Sequence, residues 1–413
     1  MNKKLLVLAL AGAFVAPAAM ADVTISGTIN MGPQWGSVGD ATATSLANSV
    51  VRGGGQQGFS NTGLTSNYSN VNLNSTEDIG DGNKVVFNAQ LDFSNTGSTV
   101  HDTDGALRQR NTFMGFEGGW GSLRLGINEH IYERYMYQSD VLDGAAGIGG
   151  NLQMLGTPGP GVFDARNQGN CGPTTGCAGF YRRTSNSIWY DSPDIGGFTF
   201  GVAMTLNAYQ QSASGTKPGV LSMGAQYKPA DMPFFVNIAY ERHKDMFGLN
   251  AITTNLQPDG VTSNGAAGTS TDTGLQLGGG VTLGDLGLFA RFEQLKYKSS
   301  GGTLAGLSEY SRNAMWFGAK YNLATGYAAL QFGLAEDASC KSVAGGSCNA
   351  NDTGAMMISG GYAHNLSKQT QLLFIGSITN NDQFGRYYNI GSPGFGRVGA
   401  DGRSLALLIK HSF

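Results

Sequence analysis

Histidines, cysteines, acids and arginines are the residues of this chain whose chemistry could matter. The five histidines (His101, His130, His243, His364 and His411) are scattered. None has metal-ligand spacing, and none accompanies a G-x-S-x-G or comparable nucleophile motif. The four cysteines form two local pairs, Cys171/Cys177 and Cys340/Cys348. No histidine lies near either pair, so metal binding is the weaker reading and a disulfide the stronger. Four cysteines allow three connectivities. Nearest-neighbour closure is the simplest and predicts Cys171–Cys177 and Cys340–Cys348. No metal or cofactor is expected, and no catalytic group.

The acids are the more informative set. Glu129, Glu133, Asp140 and Asp143 open a segment, Asn128 to Phe180, that has no strand-like alternation and lies between two clear strands. An irregular stretch that long inside a compact domain needs a function. Glu129 and Glu133 are four residues apart and would share one face of a short helical turn. Arginines stand on the flanking segments: Arg110, Arg124 and Arg183. Acids and arginines on opposite walls of a narrow, water-filled passage would set up a transverse field that sorts solutes by charge and dipole. That chemistry requires a lumen, and therefore a particular arrangement of the surrounding elements.

The chain begins Met1-Asn2-Lys3-Lys4, continues with an apolar run from Leu5 to Ala16 and reaches Ala19-Met20-Ala21. This is the pattern of a secretory signal peptide over residues 1–21, cleaved before Asp22 and leaving 22–413 as one domain. Removing Lys3 and Lys4 takes the formal charge from −3 to −5. No basic footprint for nucleic acid remains. An exported chain meets an oxidising compartment, which favours disulfides. No later stretch offers eighteen consecutive apolar residues, so helical membrane spans are excluded.

Instead, apolar and polar residues alternate with period two, as in Val23-Thr24-Ile25-Ser26-Gly27-Thr28-Ile29 and in Val85, Phe87, Ala89, Leu91 and Phe93 against Val86, Asn88, Gln90 and Asp92. Such segments are half-buried strands. Sixteen can be placed, beginning with 22–34, then 67–78 after a long polar loop over 35–66, and ending with 403–413. Short turns alternate with longer loops, which puts both termini on the periplasmic side of a membrane barrel. In lipid no sheet edge is tolerated, so the first strand must pair with the last. In the last strand Leu405, Leu407, Ile409, His411 and Phe413 would face lipid, and Ser404, Ala406, Leu408 and Lys410 the lumen, with Leu408 an apolar exception. The expected fold is all-β, a 16-stranded antiparallel transmembrane barrel with the 128–180 segment folded inward. A barrel of sixteen strands is wide enough to hold water.

Thr76-Glu77-Asp78-Ile79-Gly80-Asp81-Gly82, the run Arg110 to Gly126, Ser185 to Pro193 and the terminal strand ending in Phe413 resemble, in this order, the general diffusion porins of Gram-negative outer membranes, in particular their β-proteobacterial branch. The resemblance implies a homotrimer of barrels in outer-membrane lipid, each passing ions and small polar solutes through a constriction made by the third extracellular loop. By position it makes Arg110, Arg124 and Arg183 pore-wall residues, with Phe113 facing out and Arg110 and Thr112 in. It makes Glu129, Glu133, Asp140 and Asp143 the loop acids opposite. Two positions depart from the family pattern: Asn70 and Trp189 stand where arginine is common, so the basic ladder is thinner. A surface adhesin using the long Gly/Asn/Ser loops is the alternative, weakened by the lack of internal repeats. So is a barrel enzyme, weakened by the absence of a Ser/His or Asp/His constellation.

Overall fold

The computed structural model describes residues 21–41, 57–67, 69–92, 108–142, 147–159, 179–181, 183–206, 218–246, 249, 268–304, 306–343, 348–387 and 397–413. Residues 1–20 of the expected leader, His101, Asp143 and the pair Cys171/Cys177 lie outside them. Eighteen strand segments follow one another: β1 (Ala21–Val38), β2 (Phe59–Ser66), β3 (Asn70–Gly80), β4 (Asn83–Asp92), β5 (Arg108–Gly118), β6 (Gly121–Glu129), β7 (Arg183–Asp191), β8 (Phe198–Thr205), β9 (Gly219–Tyr227), β10 (Phe234–Lys244), β11 (Thr269–Leu283), β12 (Leu286–Ser300), β13 (Leu307–Leu323), β14 (Gly326–Ala335), β15 (Ser339–Ser342), β16 (Ala355–Asn365), β17 (Thr370–Asn381) and β18 (Gly402–Ser412). A helix, α1 (Ile131–Tyr137), and a single 3₁₀ turn at Asn151–Gln153 lie between β6 and β7.

The segments make sixteen staves, because β2 and β3 share one and β14 and β15 another. Both β2 and β3 pair with β1, on its upper and lower halves. Both β14 and β15 pair with β13. At the first interruption the Asn67 N–H donates to the Asn30 carbonyl (2.7 Å) and the Asn30 N–H to the Ser69 hydroxyl (3.1 Å). Both backbone groups of Asn30 are thereby paired across the break. The span 35–66, expected as loop, is therefore strand at both ends. Its Gly/Ser/Asn composition hid this, since β2 is held by its ladder to β1 and carries no alternating apolar face.

Closure runs through β1 and β18, from Thr28↔Ser412 to Val38↔Gly402. Gly27 and Phe413 exchange backbone hydrogen bonds at 3.0 and 3.1 Å. A Cβ at Gly27 would stand 2.5 Å from the Asn70 carbonyl oxygen and 2.7 Å from the Phe413 ring, so this seam requires glycine. Outward residues follow the expected parity: Leu405, Leu407, Ile409 and Phe413 are exposed, while Ser404, Ala406 and Leu408 are buried. Cys340 and Cys348 form a disulfide, closing a short loop after β15.

The core does not lie between sheets. It lies between the inner wall and the segment after β6, which enters the lumen. Leu408, the apolar exception of its strand, packs in one cluster with Val141, Leu142 and Ile148 of that segment. A second cluster joins Met136, Leu152, Met154 and Leu155 to Trp316, Ala314 and Met357 of the wall. A third seats Tyr132 and Phe180 among Ala239, Leu295, Tyr297 and Tyr310.

Candidate functional site: the loop across the lumen

The loop is positioned from its first residues. Ile131, Tyr132 and Met136 of α1 are fully buried, and the wall beneath is paved with glycine. A Cβ at Gly201 would meet Ile131 at 2.7 Å, one at Gly224 would meet Tyr135 at 2.8 Å, and one at Gly274 would meet Phe180 at 2.8 Å. Any larger residue would push the loop toward the axis. Trp189 is buried with Ile131 and Ala203 and offers an apolar floor to α1.

Polar contacts then fix the loop along the wall from β7 to β16. The Tyr132 N–H donates to Ser222 (3.1 Å), and Gln276 donates to the Tyr132 carbonyl (2.5 Å). The Val141 N–H donates to Gln331 (2.9 Å), and Gln331 and Ser359 both donate to the Gly149 carbonyl. Arg291 donates to Ser139 (3.1 Å) and to Gln276 (2.7 Å). The hub is the buried pair Arg312–Glu293, with an N–O distance of 2.7 Å. Arg312 also donates to the carbonyls of Thr157 (2.7 Å) and Met154 (3.0 Å). Glu293 accepts from the Tyr132 hydroxyl and the Gly156 N–H, both at 2.8 Å. A buried ion pair is stabilising only where its remaining donors and acceptors are met; the loop's backbone and the Tyr132 hydroxyl meet most of them, while Arg312 Nη1 has no hydrogen-bond partner among the described residues.

At the base of the loop His130 and His243 share one carboxylate, so the histidines are less scattered than the sequence implies. His130 Nδ1 lies 3.1 Å from Glu241 and Nε2 lies 2.8 Å from the Thr184 hydroxyl; His243 lies 2.7 Å from the other Glu241 oxygen. A hydroxyl, an imidazole and a carboxylate in line would suit nucleophilic catalysis. Here all three are buried. The arrangement clamps the entry of the loop.

The expected charges come together differently from the sequence reading. Arg110 does face the lumen, but not by simple alternation. Phe113 turns inward, with the Arg124 guanidinium 5.1 Å from its ring centre, while Met114 and Phe116 face lipid. A bulge between Ala89↔Thr112 and Leu91↔Gln109 then shifts the phase and returns Arg110 to the lumen. There it pairs with Asp92 (2.7 Å) and Glu129 (3.7 Å). Glu129 is the last residue of β6, part of the wall and not of the loop opposite. Arg183 is buried, ion-paired to Glu129 and 3.5 Å from Glu133, and donates to Asn111 at 2.9 Å. Arg124 lies nearer the short-turn end, with Glu117 (3.0 Å) and Asp191 (3.7 Å). Arg134 of α1, not singled out from sequence, forms a two-pronged pair with the same Asp191 at 2.6 and 3.1 Å. Asp140 spends its oxygens on the loop itself, accepting from the N–H groups of Leu142 (3.0 Å) and Asn151 (2.9 Å). Acid and base thus stand side by side in clusters.

Sequence reasoning missed Arg291, Glu293 and Arg312. The signal was there: each sits mid-strand on the parity opposite Leu288, Phe292 and Phe317, and arginine facing lipid at the midplane costs about 2–4 kcal/mol.

The inner face of β3 and β4 contrasts with the wall that holds the loop. Asn70↔Asp92, Asn72↔Gln90 and Asn74↔Asn88 form a half-buried ladder of amides ending in one acid. Asn72 donates to Asn70 (2.9 Å) and Asn88 to Asn74 (2.6 Å).

A closed transmembrane barrel whose lumen is narrowed by an inward loop defines a class of outer-membrane protein, and the comparisons agree on it. The family description for Gram-negative porins matches residues 7–383, and the chain belongs to that family. It is 27% identical over 218 residues to an outer membrane porin protein of Bordetella pertussis, covering 52% of this chain and 50% of that one. It is 34% identical over 128 residues to the major outer membrane protein P.IB of Neisseria meningitidis, covering 30% and 33%. The matched part thus spans half or less of the length of these relatives. In fold it is similar to the anion-selective porin from Comamonas acidovorans, with a TM-score of 0.67 and 20% identity over 95% of this chain and 100% of that one. The protein is an outer-membrane β-barrel.

Two outcomes follow from this geometry. Arg312→Leu strands the Glu293 carboxylate, and removing one partner of a buried pair costs about 3–5 kcal/mol. The barrel will still form, but the loop will detach from its wall, giving larger and noisier single-channel currents. Arg312→Leu combined with Glu293→Leu will be closer to wild type. The second outcome concerns pH. Burial, with Glu129 beside it, raises the Glu133 carboxyl above its ordinary range, while Arg183 pulls it the other way. As pH falls, Glu133 will take up a proton before an ordinary glutamate does, and the Arg110/Arg183/Asp92/Glu129/Glu133 cluster will lose one negative charge. A raised carboxyl favours the folded loop in its neutral form, so acidification tightens this contact. Reversal potentials will step toward anions on acidification, and Glu133→Gln will abolish the step.

Proposed function

We propose that the protein is a general diffusion pore, passing ions and small hydrophilic solutes between the loop and the β1–β5 wall. The observation that carries this reading is the asymmetry of the lumen. The described part of the loop is stitched to β7–β16, while the inner face of β3 and β4 keeps half-buried amides suited to water. The membership in the porin family supports it, as does the burial of the Thr184–His130–Glu241 array, which turns the reading away from an enzyme.

Arg110, Arg183, Glu129 and Glu133 are proposed as the charges at the narrow part, with Arg124 nearer the periplasmic mouth. Because each arginine is neutralised by a neighbouring acid, the pore will show mild ion preference. Charges in a water-filled passage are screened over about 8–10 Å, so distant loops contribute little. Residues 1–21 are proposed as the export signal, and Cys171–Cys177 as a second loop disulfide.

In planar bilayers the purified protein will give stable, ohmic single-channel steps with a small reversal potential in a salt gradient. Glu129→Gln with Glu133→Gln will move that potential toward anions, and Arg110→Gln with Arg124→Gln toward cations. No channel activity would remove the pore reading; unchanged potentials in both double variants would remove only these residues from the constriction. We also propose a homotrimer, as in the family. Unboiled protein will run as an oligomer of about three chains, the behaviour of closed barrels with no free edge, and a monodisperse monomer in mild detergent would contradict it.

A further inference from the structure

The amide ladder of β3 and β4 belongs to a wider strip of one chemistry. Asn70, Asn72 and Asn74 alternate with Val71 and Leu73, which share the outward parity of Ser75 and its exposed partner Phe87. The asparagines therefore stand on the lumen side. On one flank β1 extends each row with a hydroxyl: Thr28 registers with Asn70, Ser26 with Asn72 and Thr24 with Asn74. On the other flank the partners are Asp92, Gln90 and Asn88. Thr24 is exposed and the others are half-buried, so the strip borders open space.

The single charge in these rows is Asp92, at the end nearest the constriction, and it is taken by Arg110 at 2.7 Å. Everything below it is amide or hydroxyl. Rows two residues apart on a strand are about 6.7 Å apart and neighbouring strands about 4.8 Å, so three rows on three strands make a strip about 13 Å long and 10 Å wide. Phe113 closes the lowest row. It registers with Asn88, its ring turned into the lumen and the Arg124 guanidinium 5.1 Å from the ring centre.

We propose, resting on the pore reading above, that this strip binds neutral sugars in transit. An amide carries two N–H donors and an oxygen with two lone pairs, and a hydroxyl carries one donor and two lone pairs. The internal bonds from Asn72 to Asn70 (2.9 Å) and from Asn88 to Asn74 (2.6 Å) each use one N–H of two. A sugar hydroxyl is also both donor and acceptor. It can replace its lost hydration anywhere on the strip, whichever way it turns. A carboxylate or an ammonium group needs partners of one sense and of opposite charge, and finds them at the arginine and acid clusters instead. The Phe113 ring beside Asn88 offers apolar surface to the C–H groups of a sugar ring. The strip thus has room for a short oligosaccharide lying along the wall, with its hydroxyls on the amides and one ring against Phe113.

The test uses the purified porin in planar bilayers, with maltotriose and a polyethylene glycol of the same hydrodynamic size added separately. The glycol has acceptors along its length but donors only at its ends. Maltotriose will interrupt the ion current in resolved, saturable blocks, and the glycol will lower the current without them. N72L/Q90L, which removes one facing pair of amides, will shorten the blocks about tenfold, the scale of one or two neutral hydrogen bonds. N72Q/Q90N, which exchanges the two amides, will keep the blocks of wild type. A working channel on which both probes act alike, or in which N72L/Q90L keeps the wild-type blocks, would overturn the proposal and leave the pore reading standing. No channel at all would remove that reading. Should N72L/Q90L fail to assemble, N72A takes its place, with shorter blocks expected and unchanged blocks counting against the strip.

Discussion

Every other feature of this protein depends on the cost of an unpaired backbone group in lipid. A sheet that crosses a membrane has to meet all its hydrogen bonds internally, and a closed barrel is the way a sheet does so. Closure explains the glycine seam at Gly27, where strand ends and the terminal Phe413 must approach more closely than any side chain allows. It also explains why two broken staves are tolerated. At each break the facing strand continues, and at the first of them Ser69 and Asn67 take over the ladder bonds of Asn30. Closure by sixteen staves leaves a wide lumen, and a wide lumen left empty would be a poorly selective hole.

The loop answers that second problem by giving the barrel a core. Its packing resembles that of a soluble domain: apolar side chains on a small-residue floor, with a buried arginine–carboxylate pair that also bonds backbone carbonyls, a backbone amide and the Tyr132 hydroxyl of the loop. The wall is correspondingly divided. From β7 round to β18 the inner face carries Trp189, Ala239, Trp316, Ala363, Ile375 and Leu408, which would be out of place in an aqueous channel. At β3 and β4 it carries amides. The division accounts for Trp189: on the side where the loop lies, an apolar side chain buries α1 where a solvated charge would not.

Much of this was legible in the sequence, because strands in lipid write a period-two pattern that composition cannot erase. The parity of β18, the turn positions and the inward segment after β6 are all visible as alternation or its loss. What was hidden shares one cause, namely that it depends on contacts between distant segments. β2 carries no apolar face of its own. The bulge beside Arg110 reverses the parity of Phe113 without any local mark. Glu129 and Arg183 are 54 positions apart and adjacent in space. His130 lies 111 positions from Glu241, and the two meet only because the chain enters the lumen there, beside the Glu241–His243 pair of β10.

The distribution of charge shows why a single net value says little about what such a barrel does. The formal total is slightly negative, yet the charges fall into separate environments that do not see one another. Most of the arginines inside stand beside an acid along the wall, as Arg110 beside Asp92 at 2.7 Å and Arg134 beside Asp191 at 2.6 Å. Those on the outer rim over β10–β15 are mostly positive and stand on the opposite face of the wall from the lumen. Screening over about 8–10 Å decouples the two sets. The field in the lumen is therefore set by the balance among Arg110, Arg183, Glu129, Glu133 and Asp92, and the lysines outside contribute little to it. Strand alternation is the physical device that separates them: residues one apart on the same stave, Glu293 and Gln294 or Tyr297 and Lys298, belong to different solvents.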